Sequence, residues 1–134
     1  MSRLPETAKT PLVRTDYVHP EIWQQLVAAI LQPSPDGFLA SVDVVENPAL
    51  ADIDPAQLLA DARQSARHSL VIFADAATLS HPATPLLCMD VSSARSVRTV
   101  PSELWSIENN LSLGNMDFDE FVNGAGPDGI FRGF

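Results

Sequence analysis

The chain has 134 residues, with 17 acidic side chains against 8 basic ones, a formal charge of −9, and 46% apolar and 19% charged residues. That is the composition of one globular domain, and its acidity excludes nucleic acid and anionic membrane, which call for Lys/Arg stripes. Cys88 is the single cysteine, so no intrachain disulfide can form, and no apolar run approaches the roughly 18 residues a spanning helix needs.

Residues 1–10 are polar and aperiodic and are expected to form a flexible N-terminal segment, leaving 11–134 as a single globular domain. The start, MSRLPETAKT, has no apolar segment of the secretory kind, so a cytoplasmic protein is expected. Pro11–Tyr17 reads as a strand. Pro20 then stands where a first helical residue fits, followed by Ile22, Trp23, Leu26, Val27, Ile30 and Leu31 at helical spacing. A breaker cluster with an Asp36-Gly37 turn signal ends that helix, and Phe38–Val45 reads as a second strand. Asp54 can cap a second helix with Pro55 at its first position and Gln57 closing a capping box. Leu58, Leu59 and Ala62 give it a short apolar face, and Arg63, Arg67 and His68 lie near its C-terminus, where cations are favoured.

Leu70–Ala74 is a near-continuous apolar run, the pattern of a strand covered on both faces. Pro85–Val91 resembles it, and Ser96–Val100 is a shorter strand after a turn. Pro101-Ser102-Glu103 opens a helix through Leu104, Trp105, Ile107 and Leu111. Asp117 then caps a last helix with Glu120 closing its box, and the aromatic tail to Phe134 is expected to dock. Strands that alternate with helices favour parallel βαβ pairing, and the later ones favour an antiparallel meander. The expected fold is α/β (or α+β), a mixed sheet of four or five strands with helices packed on it.

The densest polar stretch is Ser106–Asn115. Trp105, Glu108, Asn109, Asn110 and Asn115, with Asp117 and Asp119, form the candidate binding surface, because carboxamides donate and accept at fixed geometry. The same residues are also suited to capping helix ends through nearby backbone groups. Asn115, Asp117 and Asp119 mimic the start of a calcium loop, but Glu120 stands where Gly is needed and Gly126 where Glu is needed, so no metal is expected. His19, His68 and His81 show no ligand spacing. Asp75 and Asp90 follow or end apolar strands, and carboxyl ends of parallel strands are where open α/β sheets bind ligands. No nucleophile stands with a base and no phosphate loop is present, so neither a catalytic residue nor a cofactor is expected.

Charge is unevenly spread. Between Arg14 and Arg63 there is no Lys or Arg, yet Asp16, Glu21, Asp36, Asp43, Glu46, Asp52, Asp54 and Asp61 fall there. The same holds between Arg98 and Arg132. Acidic segments sharing a face would steer a basic partner.

The run VPSELWSIENNLSLGNMDFDEFV (Val100–Val122), with the closing DGIFRGF (Asp128–Phe134), resembles a family of small, largely actinobacterial proteins of unknown function. PLVRTDY, DGF and LVIFAD fit the same family, so the resemblance covers roughly Pro11 to Phe134 and implies no activity. An acidic domain ending in a short D-F-D-E-F helix is also similar to some immunity proteins of bacterial toxin systems. The leading expectation is therefore a non-catalytic acidic protein-binding module, immunity- or antitoxin-like, with a basic protein partner. The alternative is a small-molecule binder or enzyme with a polar cleft around Trp105–Asn115. A homodimer through the aromatic tail is a third.

Overall fold

Every residue of β1 (Thr10–Arg14) is buried, because it lies between two parallel neighbours. β2 (Val42–Val45) flanks it on one side and β3 (Leu70–Ala74) on the other, so that Leu12 is in register with both Val44 and Ile72. β4 (Leu86–Asp90) and β5 (Ser96–Thr99) continue as an antiparallel meander, as their spacing leads one to expect. The turn between them is held by the Asp90 carboxylate, which accepts from the Ser93 amide and from both the Ser92 and Ser93 hydroxyls. The computed structural model describes residues 3–134, and within them the sheet has six strands in the order β2-β1-β3-β4-β5-β6.

The α/β class and the mixed sheet are as expected, but the strand number of four or five is corrected to six. The added strand, β6 (Ile130–Phe131), runs parallel to β5 and is only two residues long. Two residues carry no periodicity. The strand forms because Gly129, at a φ of 78° that L side chains rarely adopt, turns the chain beside Arg98. The expected second strand is also shorter than its apolar run: Phe38–Ser41 leaves the ladder because Phe38 stacks on Trp105 and Asn109 Nδ2 holds the Leu39 carbonyl at 3.0 Å.

Alternation along the strands sends side chains to two opposite cores. Leu12, Ile72, Leu86 and Cys88 face α1 (Pro20–Ile30), α4 (Leu104–Ser112) and α5 (Phe118–Gly124). Val13, Val71 and Phe73 face α2 (Pro55–Ser65), which buries Leu58, Leu59 and Ala62 against them. A short helix missing from the sequence reading, α3 (Ala76–Ser80), follows β3 directly. The reciprocal capping of Asp75 and Thr78 starts it, and five residues are too few to show a helical period. Cys88 is fully buried and its thiol is pushed up to about 12 by burial, which leaves it without thiolate chemistry at neutral pH.

Of the segment 1–10 expected to be loose, residues 1 and 2 lie outside the described residues. The Arg3 and Leu4 amides both donate to Asp61 Oδ2, at 2.7 and 3.2 Å, and Leu4 is buried against the α2 face. Gln57, expected to close the α2 capping box, instead accepts from Arg3 Nη1 at 2.8 Å. Among the described residues no helix is long and apolar enough to cross a membrane.

Because β2 and β3 lie on opposite sides of β1, the connections that run to them pass over opposite faces. The loop after β1 leads into α1 over one face and the loop after β2 leads into α2 over the other, so these two diverge at the carboxyl end of the parallel strands, where open α/β sheets place their ligands.

Candidate functional site

At the carboxyl end, the last residue of β1 organises the surroundings. Arg14 is buried, and a buried guanidinium needs partners for both its charge and its donors. Its Nε donates to the Asp16 carbonyl at 2.9 Å and its Nη1 to Glu46 Oε1 at 2.7 Å. Its guanidinium carbon lies 4.2 Å from the Tyr17 ring centroid and 5.3 Å from that of Trp23, so the cation also meets two aromatic faces. Trp23 Nε1 donates to the same Glu46 oxygen at 2.6 Å. α1 and the end of β2 are thus tied to β1 through one carboxylate.

Asp16 folds the next loop. Its buried carboxylate accepts from His19 Nδ1 at 2.8 Å and from the Val18 amide at 3.4 Å. Both oxygens are therefore spent on the Asp16–His19 turn, which leaves Val18 at its tip with 77% of its surface exposed. The β2–α2 connection closes over this turn, since the Asp52 amide donates to the Thr15 carbonyl at 2.8 Å. Burial pushes the Tyr17 phenol pKa upward, against the opposing pull of Arg14. One strand further on, Arg98 Nη2 meets Asp75 Oδ2 at 2.7 Å and Nη1 meets Oδ1 at 3.0 Å, a two-point pair. Burial pushes the Asp75 carboxyl up, but Arg98 and the Thr78 amide and hydroxyl outweigh it and hold its pKa below the usual value. Asp16 and Glu21 follow the carboxyl end of β1, Glu46, Asp52 and Asp54 follow that of β2, and Asp75 follows that of β3. Glu21, Asp52 and Asp54 are exposed and form no ion pair among the described residues.

The amino end of the same strands carries an open cavity of about 480 Å³, lined in part by Lys9, Thr10, Leu39, Arg67, His68 and Glu108. Glu108, on α4, is 2% exposed and accepts four hydrogen bonds. Oε1 takes the Ser41 amide at 2.6 Å and Asn109 Nδ2 at 3.0 Å, and Oε2 takes the Thr10 hydroxyl at 3.2 Å and the Ser112 hydroxyl at 2.5 Å. It links α4 to the starts of β1 and β2.

The predicted surface is divided by the fold. Glu108 and Asn109 line the cavity together. Trp105 instead stacks on Phe38, with centroids 4.8 Å apart and planes at 11°, beside a separate 160 Å³ recess. Asn110 spends its amide on the Ser106 carbonyl at 2.7 Å. Asn115 donates only its backbone amide, to the Asn110 carbonyl. The Asp117 amide donates to Glu120 at 2.8 Å in the expected box, and Asp119 pairs with Arg95. These last four residues line neither hollow. No group of three or more His, Cys, Asp or Glu among the described residues could hold a metal ion.

Sequence reasoning missed the Arg14, Asp16, His19, Trp23 and Glu46 network. The signal was available, because Arg-Thr-Asp closes a strand of a predicted βαβ unit, where such sheets place polar groups for recognition. The grouping of Lys9, Arg67 and His68 with Glu108 had no local signal, since the chain returns there from segments tens of residues apart. No curated protein matches this chain. Residues 9–134 match the model of a family described as a domain of unknown function, DUF6924, and the chain belongs to that family.

Proposed function

We propose that the chain is a non-catalytic binding module whose carboxyl-end surface docks a basic protein partner in the cytoplasm. The observation that carries this reading is Val18, 77% exposed at the tip of a loop held by Asp16 and His19. Val18 supplies an apolar contact, and Glu21, Glu46, Asp52 and Asp54, which follow the ends of β1 and β2, supply the negative charge that a basic partner would meet. The Arg14 network preorganises the loop, so little conformational entropy remains to be lost on docking. A formal charge of −9 adds long-range steering of a cationic partner. The His19–Asp16 pair serves the loop's shape: among the described residues no hydroxyl or thiol hydrogen-bonds either side chain to act as a nucleophile.

The test is affinity capture from a lysate at about 50 and about 500 mM salt, which shortens the Debye length from roughly 14 to 4 Å. It is run in parallel with a Glu21→Gln/Asp52→Asn variant. Asn tolerates the φ of 57° at position 52, so the variant removes charge and leaves the backbone alone. A basic protein held by the wild type at low salt, and lost both at high salt and by the variant, is the expected result. Identical capture by the two proteins contradicts it.

A further inference from the structure

We propose that the cavity at the amino end of β1 and β2 is a binding site for a small amphiphilic organic anion, independent of the docking surface at the opposite end. Its volume of about 480 Å³ is of small-molecule size. The sign of the ligand follows from which charges are already spent. Glu108 is the carboxylate that lines the cavity, and a carboxylate has about four acceptor positions. The Ser41 amide, Asn109, Thr10 and Ser112 occupy all four, two on each oxygen. Nothing remains on it to receive a ligand ammonium.

The cations are in the opposite condition. Among the described residues the Lys9 ammonium has no hydrogen bond or ion pair. Only the Lys9 backbone is engaged, its amide donating to Asp43 Oδ2 at 2.9 Å. Arg67 has an exposed contact to Glu6 at 3.3 Å, the kind of surface pair that is worth little and exchanges readily. His68 donates through Nε2 to the Thr7 carbonyl at 3.1 Å, so Nδ1 of its neutral ring is an acceptor and adds no donor to the hollow. Two cations able to donate to an anion, Lys9 and Arg67, therefore converge on one hollow in a chain that has only 8 Lys and Arg against 17 acids.

The apolar half of the ligand follows from Leu39 and Leu113, which are 44% and 73% exposed and lie on the same lining. Two exposed leucines beside unspent cations favour a body of hydrocarbon or aromatic rings with a carboxylate, sulfonate or phosphate head. A compact inorganic ion would leave those leucines in water.

The probe is anilinonaphthalene sulfonate, followed by fluorescence titration of the folded full chain, with uncharged phenylnaphthylamine for comparison. One saturable site is expected, weakened about tenfold or more in Lys9→Ala/Arg67→Ala. The uncharged dye is expected to bind more weakly than the sulfonate, and the Glu21→Gln/Asp52→Asn variant to bind like the wild type. Both alanine positions are exposed, and an unchanged melting temperature confirms that the variant is folded. Absence of saturable binding overturns the proposal. So does a Lys9→Ala/Arg67→Ala variant that binds like the wild type, or equal affinity for the two dyes. The docking surface is untouched by any of these outcomes.

Discussion

Glu46 Oε1 lies 2.7 Å from Arg14 Nη1, so the last residue of β1 and the first residue beyond β2 are joined across two parallel strand ends. The guanidinium is buried while the carboxylate is about half exposed, and the same oxygen also accepts Trp23 Nε1. Removing the carboxylate leaves a buried cation and a buried indole N–H short of a partner. Glu46→Ala is expected to destabilise the fold by about 1–3 kcal/mol, towards the lower end because water reaches the carboxylate. Urea unfolding followed by tryptophan emission measures this, and an unchanged midpoint would show the pair to be decorative.

Glu108 supplies the corresponding link at the other end of the sheet. Glu108→Ala removes the acceptor of the buried Thr10 hydroxyl and of the Ser41 amide and the Ser112 and Asn109 donors, which water in the open cavity reaches, at a cost of about 1–3 kcal/mol. Glu108→Gln keeps one acceptor oxygen and should cost clearly less, roughly half as much. Equal losses in the two variants, read from denaturant midpoints at a common slope, would mean that shape rather than hydrogen bonding holds α4 in place.

Tyr17 is the chain's only tyrosine, so its ionisation can be followed by ultraviolet absorbance without interference from a second phenol. Burial raises its pKa above the ordinary 10.0, which favours the neutral phenol in the folded state. Stability from this effect is present below pH 10 and is lost as pH rises through the folded value. The folded protein should therefore titrate at a higher pH than the chain in denaturant. A midpoint at or below that of the unfolded chain refutes the half-buried placement of the ring.

The fold was more legible than the site, for reasons visible in individual residues. β3 and α1 declare themselves because Leu70–Ala74 is apolar throughout and Trp23, Leu26 and Ile30 repeat at helical spacing. α3 and β6 do not, being five and two residues long and held by a local cap and a distant neighbour. Glu108 stood out as a carboxylate in a polar stretch, but its meaning depends on Thr10, which is 98 residues away. Asn110 and Asp117 stood out equally, and local backbone bonding absorbs them, as their preference for helix ends allows. Sequence composition marks polar residues. Only the fold shows which of them are already satisfied.

The Asp75–Arg98 pair makes a statement about acid stability. Arg98 and Thr78 hold the Asp75 pKa below 3.8 in the folded chain against the upward push of burial. A depressed carboxyl contributes stability that is fully present above the unfolded value and is lost as pH falls through the lower folded one. Arg98→Met should thus be less stable than the wild type at neutral pH, with the difference shrinking as pH falls below the ordinary carboxyl value of 3.8. Asp128, held at about 2 chiefly by Arg132, is common to both proteins and cancels in the comparison. A stability difference that does not change as the solution is acidified would place the effect of Arg98 in packing.

In the proposed function, the exposed tip of the Asp16–His19 loop is the docking point. Val18 replaced by a photo-crosslinking benzoyl-phenylalanine, expressed in cells and irradiated, reports what touches that tip. The same replacement at Gln64, on the exposed face of α2, serves as the control. A discrete adduct with a basic protein from position 18, absent from position 64 and lost when Glu21→Gln and Asp52→Asn are added, is the predicted result. No adduct, or the same adducts from both positions, contradicts the claim that this end of the sheet is where the protein meets its partner.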